Sequence, residues 1–169
     1  STTLLRDDTE WDDETRKEFL TIIDEETDHL TELIENVLDS ARLESKTIEM
    51  DFQPVRLDVV IRDVITRIRS RQENIEINFE TEDCELIQGD SSMLTQIFEN
   101  LFSNAIKYAP NTPINIKLTN YDGASLQVVF ADHGVGVPKD HLPYIFDRFY
   151  RVPDSPNKAG TGLGLFICK

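Results

Sequence analysis

Positive charge is scarce in this sequence: 17 Lys and Arg stand against 32 Asp and Glu, a formal charge of −15 over 169 residues. A surface of that sign repels phosphate backbones, which argues against a general nucleic-acid binder. Any polyanion held here needs local positive groups or a metal. Cysteine is scarce too. Cys84 and Cys168 stand singly, without CxxC spacing, which disfavours a disulfide framework or a zinc site and fits a reducing compartment. The three histidines, His29, His133 and His141, show no metal-ligand spacing. No run reaches the roughly 18 apolar residues that a spanning helix needs, and the start carries no secretory pattern. Internal repeats and low-complexity tracts are absent as well. What is present, 39% apolar residues of varied type, is too much for disorder and enough for a core. The length suits one domain plus a helical appendage, or two small units.

Residues 12–44 contain neither Gly nor Pro. Phe19, Ile22, Ile23, Leu30, Leu33, Ile34, Val37, Leu38 and Ala41 recur at helical spacing, so one long helix is expected there, with Asp12, Asp13 and Glu14 at its positive end. Glu26 and Asn36 interrupt the stripe, as register-setting residues do in helical bundles. A helix packed on its own domain and a hairpin or bundle helix both fit. Beyond Ser45 the pattern predicts a strand over 48–52 ended by Pro54, then a helix over 59–71 capped by Asp58. Strands over 75–79 and 86–88 follow. A helix opening at Gly89-Asp90 then runs to just before Pro110. Strands 114–119 and 126–131 are joined by a hairpin signal at Tyr121-Asp122-Gly123. A Gly- and Pro-punctuated loop fills 132–160, and a last helix begins near Thr161 and still runs at Lys169. Mixed elements without a βαβ rhythm indicate an α+β sandwich with helices on one face of the sheet.

The helix before Pro110 is unusual. At about 100° per residue, Leu94, Ile97, Phe98, Leu101, Phe102, Ala105 and Ile106 form its core face. Gln96, Asn100, Ser103, Asn104 and Lys107 gather opposite, with Tyr108 at the border. A solvated face is one reading. However, Asn at i and i+4 is a poor choice for an exposed helix interior. Asparagine offers both a neutral oxygen ligand and an amide donor, so a metal–phosphate lining is the other reading. Downstream, a strand runs into Asp132-His133-Gly134-Val135-Gly136. This places a carboxylate beside a wall without side chains, where a flat ligand can approach the backbone and an exocyclic amine can be selected. Gly160-Thr161-Gly162-Leu163-Gly164-Leu165 frees backbone amides at a helix start to cradle phosphate. It lacks the Lys-Ser/Thr of a P-loop. Each motif alone is weak; their order carries the information.

With residues 145–151 (IFDRFYR) between them, these motifs resemble the nucleotide-binding boxes of sensor histidine kinases. Residues 96–109 (QIFENLFSNAIKYA) match the N box, 132–136 (DHGVG) and 160–165 (GTGLGL) the two G boxes, and 145–150 the F box. The long helix over 19–44, with its run LIENVLDSARLE (33–44), resembles the second helix of the family's dimerisation and phosphotransfer hairpin. The resemblance implies an α+β fold: a two-layer α/β sandwich ATP-binding domain of the histidine-kinase, topoisomerase and chaperone type, preceded by a long hairpin helix. It divides the chain into a partial hairpin, 1–46, with its second helix over about 12–44, and a catalytic domain, 47–169, ending short of a strand hairpin. The implied cofactors are ATP and Mg²⁺.

By the match, Asn104 would be the magnesium ligand, Asn100 would stand beside the phosphates, and Lys107 would contact phosphate. Tyr108 would pack on adenine and Asp132 would bind its amino group. Gly134 and Gly136 would allow close approach. Phe146 and Phe149 would anchor a lid over 153–159, while Arg148, Tyr150 and Arg151 would reach over the nucleotide. Gly160, Thr161, Gly162, Leu163, Gly164 and Leu165 would close the phosphate side. ATP-hydrolysing relatives carry a water-activating Glu where this chain has Asn100, and Glu99 is turned about 100° away. Transfer to a protein side chain is therefore expected over hydrolysis.

No catalytic acceptor lies within the chain: the acceptor histidine is expected upstream of Ser1. His29 lacks the expected flanks, His133 is read as local and His141 as a surface residue at the base of the lid. Implied partners are a second copy, through the hairpin, and a response-regulator receiver domain. Nucleic acid is not among them, and a membrane would be reached only through segments outside this chain. The implied location is cytoplasmic, including the cytoplasmic part of a membrane-anchored sensor.

Overall fold

The computed structural model describes residues 12–24, 27, 30, 34, 50–122, 125–153 and 160–169. Residues 13–24 form a helix, α1, and residues 27, 30 and 34 are helical too. Asp12 caps α1, its Oδ1 accepting the Thr15 N–H at 2.7 Å. The remainder of the long helix expected over 12–44, with His29, lies outside the described residues.

Beyond it the elements run β1 (Gln53–Val55), α2 (Leu57–Arg71), β2 (Ile77–Thr81), β3 (Ile87–Gly89), α3 (Ser91–Tyr108), β4 (Ile114–Asn120), β5 (Leu126–Ala131), the 3-10 turn η1 (Lys139–Tyr144) and α4 (Gly164–Ile167). β1 and β3 pair antiparallel as a small sheet of their own. The second sheet has the order β2-β4-β5, with β2 parallel and β5 antiparallel to β4. Alternation decides its two faces. Ile77 and Phe79, Ile114, Ile116 and Leu118, and Leu126, Val128 and Phe130 share the core side. There they meet Val60, Ile61, Val64 and Ile65 of α2 and Phe98, Phe102 and Ala105 of α3. Phe102 is fully buried and meets Phe130 edge-on, centroids 5.1 Å apart. The opposite side carries Asn78, Lys117 and Gln127. This is the helices-on-one-face sandwich.

β2 and β3 lie two residues and one residue later than the sequence reading places them, and three larger differences have a visible cause. The strand expected over 48–52 is Gln53–Val55 instead and includes Pro54, which the edge of a two-stranded sheet tolerates. Asp58 does not cap α2. Arg56 is the N-cap residue, and Asp58, in the first turn, takes its guanidinium at 2.9 Å. The last helix starts at Gly164, not Thr161, and ends at Ile167, because Gly160 (φ +128°) and Gly162 (φ +70°) lie outside right-handed helical space.

Asp90 fixes the start of α3. Its Oδ1 accepts the N–H groups of Ser92 (2.9 Å) and Met93 (3.2 Å), and its Oδ2 accepts that of Asp51 (3.0 Å). The Asp51, Met93 and Ser92 amides, in that order, hold its carboxyl below the ordinary aspartate value. A depressed folded value means stability that is present above the unfolded pKa, about 3.9, and lost as pH falls through the folded one. Asp90→Ala should therefore lower the melting temperature at neutral pH. The gap from wild type should close on acidification, as followed by thermal melts across pH.

Candidate functional site

α3 supplies the spine of the site. Asn100, Asn104 and Lys107 are half-buried along one face, although Ser103 of the same stripe is exposed. The Asn100 Nδ2 amide is buried without a hydrogen-bond partner. An unmet buried donor costs on the order of 1–3 kcal/mol, so an acceptor is called for at this point. The Asn100 Oδ1 faces Gly164: a Cβ built there would lie 3.2 Å from it. Glu99 is directed elsewhere, to Arg67 of α2 at 2.9 Å. Lys107 Nζ sits 5.5 Å from the Tyr108 ring centroid and occupies the space that a side chain on Gly160 would need.

The end of β5 meets the C-terminus of α3. Asp132, just beyond Ala131, accepts the Gly134 N–H at 2.8 Å. A Cβ on Gly134 would come within 2.7 Å of the Tyr108 carbonyl oxygen and 3.0 Å of Ala109 Cβ. The turn is thus pressed against the helix end, which brings Asp132 and Tyr108 together. Asp132 is exposed. Gly136 turns at φ +70° in open space.

The third wall comes from the IFDRFYR and GTGLGL segments. Phe149 N–H donates to the Gly162 carbonyl at 3.0 Å. A Cβ on Gly162 would lie 2.7 Å from the Phe149 carbonyl carbon and 2.8 Å from the Tyr150 carbonyl oxygen. Leu163 is fully buried, and its N–H donates to Thr161 Oγ1 at 3.2 Å. α4 then packs on α3. The Cys168 thiol donates to the Gly164 carbonyl at 3.2 Å, and burial pushes its pKa up to about 11, so it is protonated at neutral pH.

Asn100 and Lys107 thus meet the 160–165 glycine segment, at Gly164 and Gly160, and Tyr108 meets the 132–136 segment at Gly134. Asn104 lies one turn after Asn100 on the same face, and Leu165 is half-buried in α4. Phe146 and Phe149 are 40% and 55% exposed, and the Arg148 guanidinium lies 4.7 Å from the Phe149 ring centroid. Arg151 is exposed. Of the expected lid, residues 154–159 lie outside the described residues. Among the described residues no group of three or more His, Cys, Asp or Glu could hold a metal. A cation here would rest on amide oxygen and on its ligand's own oxygens. His133, read as local, reaches outside its own segment: its Nδ1 lies 3.2 Å from the Pro113 carbonyl, 20 positions away. His141 is more than a surface residue: its Nδ1 lies 2.5 Å from the Tyr150 hydroxyl. Nothing in the sequence signals that pairing across nine positions.

A family model described as "Histidine kinase-, DNA gyrase B-, and HSP90-like ATPase" matches residues 89–169. Curated sensor histidine kinases of Mycolicibacterium smegmatis and Bacillus subtilis are 29–31% identical over 89–94% of this chain, which spans 26–42% of their length. Among solved structures, the mycobacterial sensor histidine kinase MprB is 30% identical, with TM-score 0.61, covering 69% of this chain and 74% of that one. Full-length ShkA in complex with AMPPNP is 31% identical, TM-score 0.74, covering 95% and 34%. The histidine kinase ThkA in complex with the response regulator protein TrrA is 26% identical, TM-score 0.64, covering 84% and 42%.

Proposed function

Because this chain belongs to the sensor histidine kinases, we propose that residues 47–169 bind Mg²⁺-ATP for transfer of the γ-phosphate to a protein histidine. The observation that carries this reading is the Asn100 side chain, whose Nδ2 amide is buried without a partner while its Oδ1 faces Gly164. A phosphate oxygen is the acceptor it lacks. The ShkA complex with AMPPNP supports the same ligand class.

Phosphoryl transfer asks a protein mostly for positioning and charge neutralisation. Asn104 would hold Mg²⁺ through its side-chain oxygen, a hard ligand suited to that cation. When bound, the ion supplies charge neutralisation at the phosphates. Asn100 and Lys107 orient the phosphates, and Arg148 and Arg151 add positive charge to a protein otherwise short of it. Tyr108 packs on the base and Asp132 accepts from its exocyclic amine. Gly134, Gly136 and the 160–165 segment leave room at the backbone, while Phe146, Phe149 and Tyr150 frame the opening. Glu99, committed to Arg67, is badly placed to activate water, which favours a side-chain acceptor over hydrolysis.

In the whole protein, residues 1–46 would be part of a dimerisation hairpin whose acceptor histidine precedes Ser1. A response-regulator aspartate would take the phosphate next, a relay supported by the ThkA–TrrA complex. Among the described residues no helix is long and apolar enough to cross a membrane. We place the domain in the cytoplasm, with any anchor elsewhere in the protein.

Calorimetric titration with Mg²⁺-ATP and Mg²⁺-GTP tests the reading. Wild type should prefer ATP, and Asp132→Asn should narrow that preference about tenfold, the worth of one hydrogen bond. No heat with either nucleotide would refute the proposal, and unchanged discrimination would remove the role of Asp132.

A further inference from the structure

Phe149 adopts φ +61°, a left-handed conformation costing a non-glycine residue about 1 kcal/mol or more. Such a conformation persists only where its surroundings fix it. On one side the Phe149 N–H is tied to the Gly162 carbonyl, and the backbone of Phe149 and Tyr150 lies flush against Gly162. On the other side η1 holds the Tyr150 side chain. The His141 Nδ1 meets the phenol oxygen at 2.5 Å. The Tyr144 ring lies 5.6 Å away, tilted by 38°, and the His141 ring lies 6.2 Å away, tilted by 41°. η1 opens with the His141 N–H donating to the carbonyl of its N-cap residue Pro138, which follows the Asp132 glycine segment in the chain. The Tyr150 hydroxyl contact, together with the backbone bonds from Asp147 N–H to the Tyr144 carbonyl (2.8 Å) and from Tyr150 N–H to the Asp147 carbonyl (3.1 Å), therefore ties η1 to the wall that packs on Gly162.

We propose that His141 is a positioning residue for nucleotide binding: by holding the Tyr150 hydroxyl it fixes the strained 149–150 backbone against Gly162 before the nucleotide arrives. The inference rests on the nucleotide reading above and adds a residue to it. A wall fixed in advance loses less conformational entropy when ligand binds. Releasing Tyr150 should weaken binding without disturbing the core, because His141 and Tyr150 lie outside the buried cluster.

The test is a double-mutant cycle on the whole chain, titrated with Mg²⁺-AMPPNP by calorimetry. His141→Leu and Tyr150→Phe should each weaken binding roughly three- to tenfold, the range for one net hydrogen bond. The double variant should be no weaker than the worse single one. His141→Asn should recover most of the affinity, since its amide places a polar atom where Nδ1 stands. Melting temperatures without nucleotide should stay together across the set. Additive losses, singles without loss, an Asn variant no better than Leu, or melting temperatures falling in step with affinity would overturn the role of His141 alone. A wild-type chain that binds no nucleotide would overturn the nucleotide reading and this inference with it.

Discussion

Asn104→Ala should reduce Mg²⁺-nucleotide affinity by more than roughly 100-fold, beyond the usual effect of disturbing a metal's outer shell, while the domain stays folded. The side chain is half-buried on the polar face of α3, and the core contacts of that helix are made by Phe98, Phe102 and Ala105. Alanine is also the better helix former, so stability should change by no more than about 0.5 kcal/mol. Calorimetry in excess magnesium, beside a thermal melt of apo protein, separates the two effects. Asn104→Asp tests the same site from another direction. It keeps an oxygen but adds charge beside the phosphates, and should also bind poorly. Affinity unchanged in both variants would refute the assignment of the metal to this residue.

Gly162→Ala should be the most damaging small substitution in the site. Two penalties coincide: φ is +70°, and the new Cβ would lie 2.7 Å from the Phe149 carbonyl carbon and 2.8 Å from the Tyr150 carbonyl oxygen. Those neighbours are backbone and cannot rotate away. A loss of roughly 3 kcal/mol is expected, together with nucleotide affinity, since the wall must move. Gly136→Ala is the control. It has the same φ with nothing within 4 Å, so it should cost about 1 kcal/mol, the conformational term alone. Chemical denaturation of the two variants measures the difference. Equal losses would show that the close packing of Gly162 does not matter.

α2 and α3 were readable because their cause is local. The 3.6-residue spacing of apolar side chains and the Asp90 carboxylate mark α3 without any partner. Strand pairs were harder. β1 is three residues long and contains Pro54, and only its pairing with β3 makes it a strand. The sheet order, with β4 central and parallel to β2, has no local signature, since it depends on α3 crossing between strands. The start of α4 was misplaced because glycine is silent about the sign of φ until a neighbour, here Phe149 and Tyr150, fixes it. Residue type alone did not tell that Phe146 and Phe149 are substantially exposed.

From the sequence alone came the chemistry on offer: amide and ammonium groups spaced along one helix face, a carboxylate ahead of glycines, and a phosphate-sized glycine run, all set in an acidic chain. Composition and spacing are properties of the chain itself. Tertiary structure decided which of these groups meet. It set Asn100 against Gly164, Lys107 against Gly160, Asp132 beside the end of α3 and His141 on Tyr150. Except for His141 and Tyr150, nine positions apart, such contacts join segments far apart in the chain, where the geometry is set by how helices pack on a sheet and by no residue's own preference.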